Sequence, residues 1–176
     1  MNDSPETKQA RAEQARTEQA RTEQARALLD SLRGDLGQEL LDAAIPEDGT
    51  VKIRIEIQQY RRTVEALHAH GLDRLEFITC VDRRTYLELL VQAYSMKMRA
   101  TARLTSRLER GAAQAPTISD LWPSANWEER EVYDQFGVHF VGHPDLRRIL
   151  NPDRWIGHPL LKDYTDDAVV ERPDYF

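Results

Sequence analysis

RLEFITCVDRRTYLELLVQAY, residues 74–94, holds two apolar-rich runs, 74–81 and 85–94, separated only by Asp82-Arg83-Arg84. So short a link suits a β-hairpin. Downstream, KMRATARLTS at 97–106 alternates Met98, Ala100, Ala102 and Leu104, which predicts a third strand of the same meander. Upstream, TVKIRIEI at 50–57 sets Val51, Ile53, Ile55 and Ile57 against Lys52, Arg54 and Glu56, the pattern of a strand with one wet side. Between them, 58–70 brings Tyr60, Val64 and Leu67 to one side of a helix that stops at Gly71. Leu28, Leu32, Leu36 and Leu40 recur at intervals of four in 27–44 and predict a further helix, ended by Pro46 and Gly49. The order helix, strand, helix, then three strands implies an α+β fold: a two-layer α/β sandwich with a mixed or mostly antiparallel sheet, one face covered by helices. An extended C-terminal arm follows it.

Ahead of this domain, QARAEQARTEQARTEQAR at 9–26 repeats one pentapeptide. Its residues favour helix, and Glu13, Glu18 and Glu23 each precede an arginine by three positions. Five residues advance the pattern by about 140°, so the alanines spiral round the axis and build no apolar stripe. The expectation is a mobile or loosely helical extension outside the core. From Met1 to Arg26 the charges cancel, Lys8 and four arginines against Asp3, Glu6 and three later glutamates, which argues against a nucleic-acid arm or a basic membrane helix. Four segments result: extension 1–26, α/β domain 27–110, linker and short helices 111–137, and turn-rich arm 138–176.

The chain has 176 residues, enough for one ordinary domain beyond the repeat, and a net charge of -6. A charged fraction of 31% and a mean hydropathy of -0.64 leave no apolar run approaching the ~20 residues that span a bilayer. With no secretory signal pattern at the start, these features predict a soluble, cytoplasmic chain. Cys80 is the single cysteine, which excludes a disulfide scaffold and the four thiolates an iron–sulfur cluster usually takes.

After 110 the pattern changes. Residues 111–116 read as a small-residue linker, Thr117 and Asp120 have the spacing of a helix start, and Asn126 is placed as the N-cap of a helix over WEEREVYDQF that ends at Gly137. Glu129, Arg130 and Glu131 fan round that helix, so at least one charge has to face protein; Arg130 and Asp134 are spaced to pair. A solvated, capped helix and a polar interface element both satisfy these residues. Gly142-His143-Pro144 and Gly157-His158-Pro159 repeat one turn fifteen residues apart. The histidines lack metal-site spacing and read better as turn residues bonded to carbonyls or carboxylates. No phosphate loop or nucleophile elbow is present.

Residues 117–164, TISDLWPSANWEEREVYDQFGVHFVGHPDLRRILNPDRWIGHPLLKDY, carry Glu129, Arg130, Glu131 and Asp134, then His143, Arg147, Ile149 and Leu150. This run resembles the C (30 kDa) subunit of proton-pumping NADH:quinone oxidoreductase, respiratory complex I. Gln135 departs from the aliphatic residue usual there, and Leu161 from an arginine, which removes one cation from the expected contact surface. The resemblance implies a cofactor-free structural subunit of the peripheral arm, with FMN and iron–sulfur clusters held by partner subunits. It would support the quinone-site and terminal-cluster subunits, and so electron transfer from NADH to quinone coupled to proton translocation. It implies a peripheral place on the cytoplasmic face of the cell membrane, with no direct membrane span and no nucleic-acid partner.

The expected partner interface is the helix at 129–131 with the arm. Besides Glu129, Arg130, Glu131, Asp134, His143 and Arg147 it includes Pro144, Arg148, Trp155 and His158, then Lys162, Asp163 and Tyr164. The physical reason is that the arm lacks periodicity while Ile149, Leu150, Trp155 and Leu160 need burial, so another surface has to supply the missing half. Two alternatives stand beside this reading: the equivalent subunit of a membrane-bound hydrogenase or ferredoxin-fed complex, and a metal-dependent hydrolase using His139 and His143.

Overall fold

A computed structural model describes residues 5–37, 40 and 42–166. The first four residues of the expected extension and the expected arm beyond 166 lie outside the described residues. Among those described, five strands form one mixed sheet in the order β1-β2-β5-β4-β3. The strands are β1 (Asp42–Ala44), β2 (Val51–Ile55), β3 (Arg74–Asp82), β4 (Tyr86–Ser95) and β5 (Ala100–Glu109). The β3–β4 and β4–β5 pairs are antiparallel, whereas β2 runs parallel to β5 from Val51↔Ala102 to Ile55↔Ser106. Alternation puts Val51, Ile53, Ile55, Ile78, Leu87, Leu89, Val91, Ala102 and Leu104 on one buried face. Helices α1 (Pro5–Leu36) and α2 (Tyr60–Ala69) contribute Leu28, Leu32, Leu36, Val64 and Leu67 to that core.

Helix α1 corrects two expectations. It starts at Pro5, so the described part of the repeat is one continuous helix, and it ends at Leu36 rather than 44. Gly37, at φ +54, turns the chain out of the helix before Leu40, and 42–44 pair with β2 as a strand. Leu40 is half-buried but not helical. The repeat also reaches the core at one point: Ala25 is fully buried, three and four residues ahead of Leu28 and Leu29, whereas 16–21 are exposed.

The third meander strand is three residues later than its alternation implied. Ser95 Oγ accepts from the Met98 amide and Arg99 takes φ 52, so 96–99 form the turn. Residues 111–116 are not wholly a linker, because β6 (Gln114–Pro116) pairs in parallel with β7 (His139–Val141). A three-residue strand ending in proline carries too little pattern to be read from sequence. The helix start at Thr117 and Asp120 amounts to a single short turn ahead of Pro123, with the Leu121 and Trp122 amides on the Ile118 carbonyl and Asp120 held by a two-pronged contact to Arg61. Helix α3 (Ala125–Phe136) begins one residue before the expected N-cap and ends, as expected, at Gly137 in the left-handed region.

A candidate functional site: the clasped arm

Helix α3 runs along β3, the edge of the sheet. Glu128 accepts from the outward-pointing Ile78 amide at 3.2 Å, which satisfies that strand edge and fixes the helix to it. The next residue turns inward. Glu129 is 0% exposed and accepts from the Thr117 hydroxyl at 2.6 Å and the Ile118 amide at 2.7 Å. Burial pushes its carboxyl up to about 7, against the pull of those two donors. Arg130 lies over the Trp127 ring at 4.9 Å and donates through Nε to the Arg147 carbonyl. It does not pair with Asp134 as its spacing allowed.

Asp134 organises the arm instead. Its Oδ2 accepts from the amides of Ile149, Leu150 and Asn151 at 3.1, 2.8 and 2.8 Å, and Oδ1 accepts from Arg148 Nη1 at 2.6 Å and Asn151 Nδ2 at 2.9 Å. Burial works to raise this carboxyl, but the donors from Asn151, Arg148 and Leu150 prevail and hold it well below the usual carboxylate range. Both Gly-His-Pro turns dock on the same helix. His143 accepts from the Asp145 amide at Nδ1, which leaves Nε2–H to donate to the Asn126 carbonyl. His158 donates from Nδ1 to the Asp134 carbonyl and packs edge-on to Tyr133. The imidazoles thus serve as the turn residues expected.

A second buried carboxylate holds the far end. Asp82, 2% exposed at the end of β3, accepts from the amides of Arg84 and Lys162 at 2.6 and 2.8 Å and from Arg110 Nη2 at 2.9 Å. Burial raises this carboxyl too, and its three donors more than reverse the effect. Arg110 also forks onto the Asp163 carboxylate. Trp155, between the two clasps, stacks at 6.5 Å on Tyr164, just past the second, beside a cleft lined by Arg154, Ile156 and Asp166.

Of the residues expected at a partner interface, Glu129, Arg130 and Asp134 are buried, and His143, Arg148, His158, Asp163 and Tyr164 bind other parts of this chain. Glu131, Pro144, Arg147 and Lys162 are exposed, although Arg147 Nε also donates to Asp145. The domain itself supplies part of the missing half: Leu146 and Leu161 pack on the core. Leu150, Ile156 and Leu160 remain 62%, 87% and 53% exposed, with Trp127 and Val141 also on the surface. Gln135 is half-buried and its carbonyl accepts from the Leu160 amide. Sequence reasoning missed Asp82 and Arg110, which read only as hairpin link and strand end. Among the described residues, no group of three or more His, Cys, Asp or Glu is placed to hold a metal ion, and no helix is long and apolar enough to cross a membrane.

The fold places the chain among two-layer α+β domains. Two solved structures share it: the trypsin-resistant fragment of Nqo5, with TM-score 0.61 and 24% identity over 70% of this chain and 99% of that one, and a chain of an archaeal respiratory membrane complex, the membrane-bound sulfane sulfur reductase, with TM-score 0.72 and 22% identity over 85% and 94%. The chain belongs to the family described as respiratory-chain NADH dehydrogenase, 30 Kd subunit, whose profile matches residues 53–169. Its relatives include the C subunit of NADH-quinone oxidoreductase from Francisella tularensis subsp. tularensis, 46% identical over 52% of this chain and 42% of the relative. The C/D subunit of NADH-quinone oxidoreductase from Acidiphilium cryptum is 41% identical over 62% of this chain and 17% of the relative. The matched region therefore spans less than half of either relative.

Proposed function

We propose that this chain is a cofactor-free structural subunit of the peripheral arm of an NADH:quinone oxidoreductase. It supports the quinone-site subunit and the subunit that bears the terminal iron–sulfur cluster, and through them electron transfer from NADH to quinone coupled to proton translocation. FMN and the clusters reside in partners, and the assembly sits on the cytoplasmic face of the membrane. The observation behind this reading is the arm: a segment without regular structure is held rigidly by buried carboxylates while Leu150, Ile156 and Leu160 stay in water. A fixed aliphatic edge of that kind fits burial against a neighbouring subunit. The single cysteine supports the cofactor-free part, because burial pushes the Cys80 thiol up to about 12 and leaves no thiolate for a cluster.

The fold likeness to the sulfane sulfur reductase complex favours keeping a second reading, the equivalent subunit of a membrane-bound hydrogenase or ferredoxin-fed complex. Affinity purification of the tagged chain from its own membranes separates the two. The primary reading expects a flavin- and NADH-binding subunit and a quinone-site subunit in stoichiometric yield. Recovery of hydrogenase or ferredoxin-linked subunits instead moves the assignment to the second, and recovery of the chain alone overturns both.

A further inference from the structure

The Asp134 clasp, His158 on the Asp134 carbonyl and the Leu160 amide on the Gln135 carbonyl explain why 148–160 stays on α3, but none of these contacts reaches 162–163. The far end is held by residues outside both the arm and the motif that the 30 kDa subunits share with it. Asp82 lies at the β3–β4 hairpin and Arg110 at the end of β5, and together they bind the Lys162 amide and the Asp163 carboxylate across sequence separations of 80 and 53 residues. The Asp82 side chain is 1% exposed and that of Arg110 23%, whereas Asp163 is 62% exposed, so the buried part of the clasp is Asp82 with Arg110 and the Lys162 amide. With Trp155 stacked on Tyr164 just past the second clasp, the interval between 151 and 162 is tied at each end to a buried carboxylate. Ile156 and Leu160 lie on that interval and Leu150 at its start.

We propose that Asp82 and Arg110 are positioning residues for subunit docking: by clasping 162–163 they fix the direction in which Leu150, Ile156 and Leu160 are presented to the neighbouring subunit. This rests on the reading of the chain as an assembled respiratory subunit. Pre-orientation matters because a loop ordered before association does not have to be ordered during it. Asp82→Ala also strips the hairpin of its Arg84 contact, so Arg110→Ala and Asp163→Ala are the informative variants. In the full-length free chain, amide exchange at 155–164 should rise at least about tenfold in either variant, as expected for loss of a hydrogen bond to a charged group. Amides of 87–93, in the inner strand β4, should keep their protection, which a general structural lesion would not allow. In the complex, incorporation of either variant should fall several-fold relative to wild type, and Arg110→Lys should recover part of it, since lysine keeps the charge without the fork. Unchanged exchange in Arg110→Ala removes the clasp. Raised exchange with wild-type incorporation removes its positioning role, and failure of the wild-type chain itself to co-purify with respiratory subunits removes the reading beneath it.

Discussion

The two ends of this chain have opposite kinds of order. Helix α1 between Pro5 and about Arg21 satisfies its backbone within itself, yet its side chains at 16–21 are exposed. The described part of the arm after β7, up to 166, has almost no regular backbone pairing, yet its amides converge on two carboxylates that are 0% and 2% exposed. Regular secondary structure and attachment to the core are therefore separate properties. A helix closes its hydrogen bonds locally whether or not it packs, whereas an irregular segment near the core has to find acceptors there.

The sharpest way to break this contrast is Asp134→Ala. Removal of the carboxylate leaves three amides and Arg148 without their acceptor, and loss of one partner of a buried charge pair typically costs about 3–5 kcal/mol. Urea unfolding should register that loss, and amide exchange should show 148–158 released; a variant as stable as wild type means the arm is held by something else.

A pH series probes Glu129, the buried carboxyl that takes no part in either clasp. Glu129 is raised, so the folded state holds its proton more tightly than the unfolded one, and its contribution is present at low pH and lost as pH rises from about 4.5 to about 7. At about 1.4 kcal/mol per pKa unit the decline amounts to roughly 3 kcal/mol. Glu129→Gln should flatten it, at the expense of one of the two accepted hydrogen bonds. Asp134, Asp82 and Asp120 have the opposite sign: their contribution is present above the ordinary carboxylate range and lost in acid, below about pH 4. Stability that is level from pH 4.5 to 7 in the wild type would contradict the placement of Glu129.

Gly137→Ala tests the join between α3 and the second Gly-His-Pro turn. Gly137 has φ +77, and a Cβ there meets the His158 ring at 2.7 Å. The left-handed conformation alone costs an L-residue about 1–2 kcal/mol, with the clash in addition. Thermal unfolding should fall accordingly and the arm amides near 158 should lose protection. The smallest effect belongs to the other end. Deletion of residues 1–20, which stops short of buried Ala25, should shift stability by no more than about 0.5 kcal/mol, as for exposed positions generally. A larger drop in the unfolding midpoint would erase the contrast between the two ends.

Much of the domain was legible because its signals are local. Alternation in 74–94 and 50–57 located β2, β3 and β4 to within a residue or two at each end, and Tyr60, Val64 and Leu67 marked the buried side of α2. Misreadings fell where a short-range feature overrode the pattern: Gly37 cut the leucine face before Leu40, and the Ser95 turn moved β5 onward. Glu129, Arg130 and Glu131 stand out in the sequence as three consecutive charges on one helix. Their direction does not, because three charges in a row always have one side toward solvent and one toward protein.

By itself the sequence determined the alternating strands, the amphipathic helices and the motif that resembles the 30 kDa subunits, since each is written in neighbours a few residues apart. The tertiary structure alone decided that β2 lies parallel to β5, that β6 finds β7, and that Asp82 meets Lys162 across 80 residues. It also decided which charges face inward. Burial and hydrogen-bond satisfaction are settled only when distant segments close round a group, and no local pattern encodes which segment will arrive.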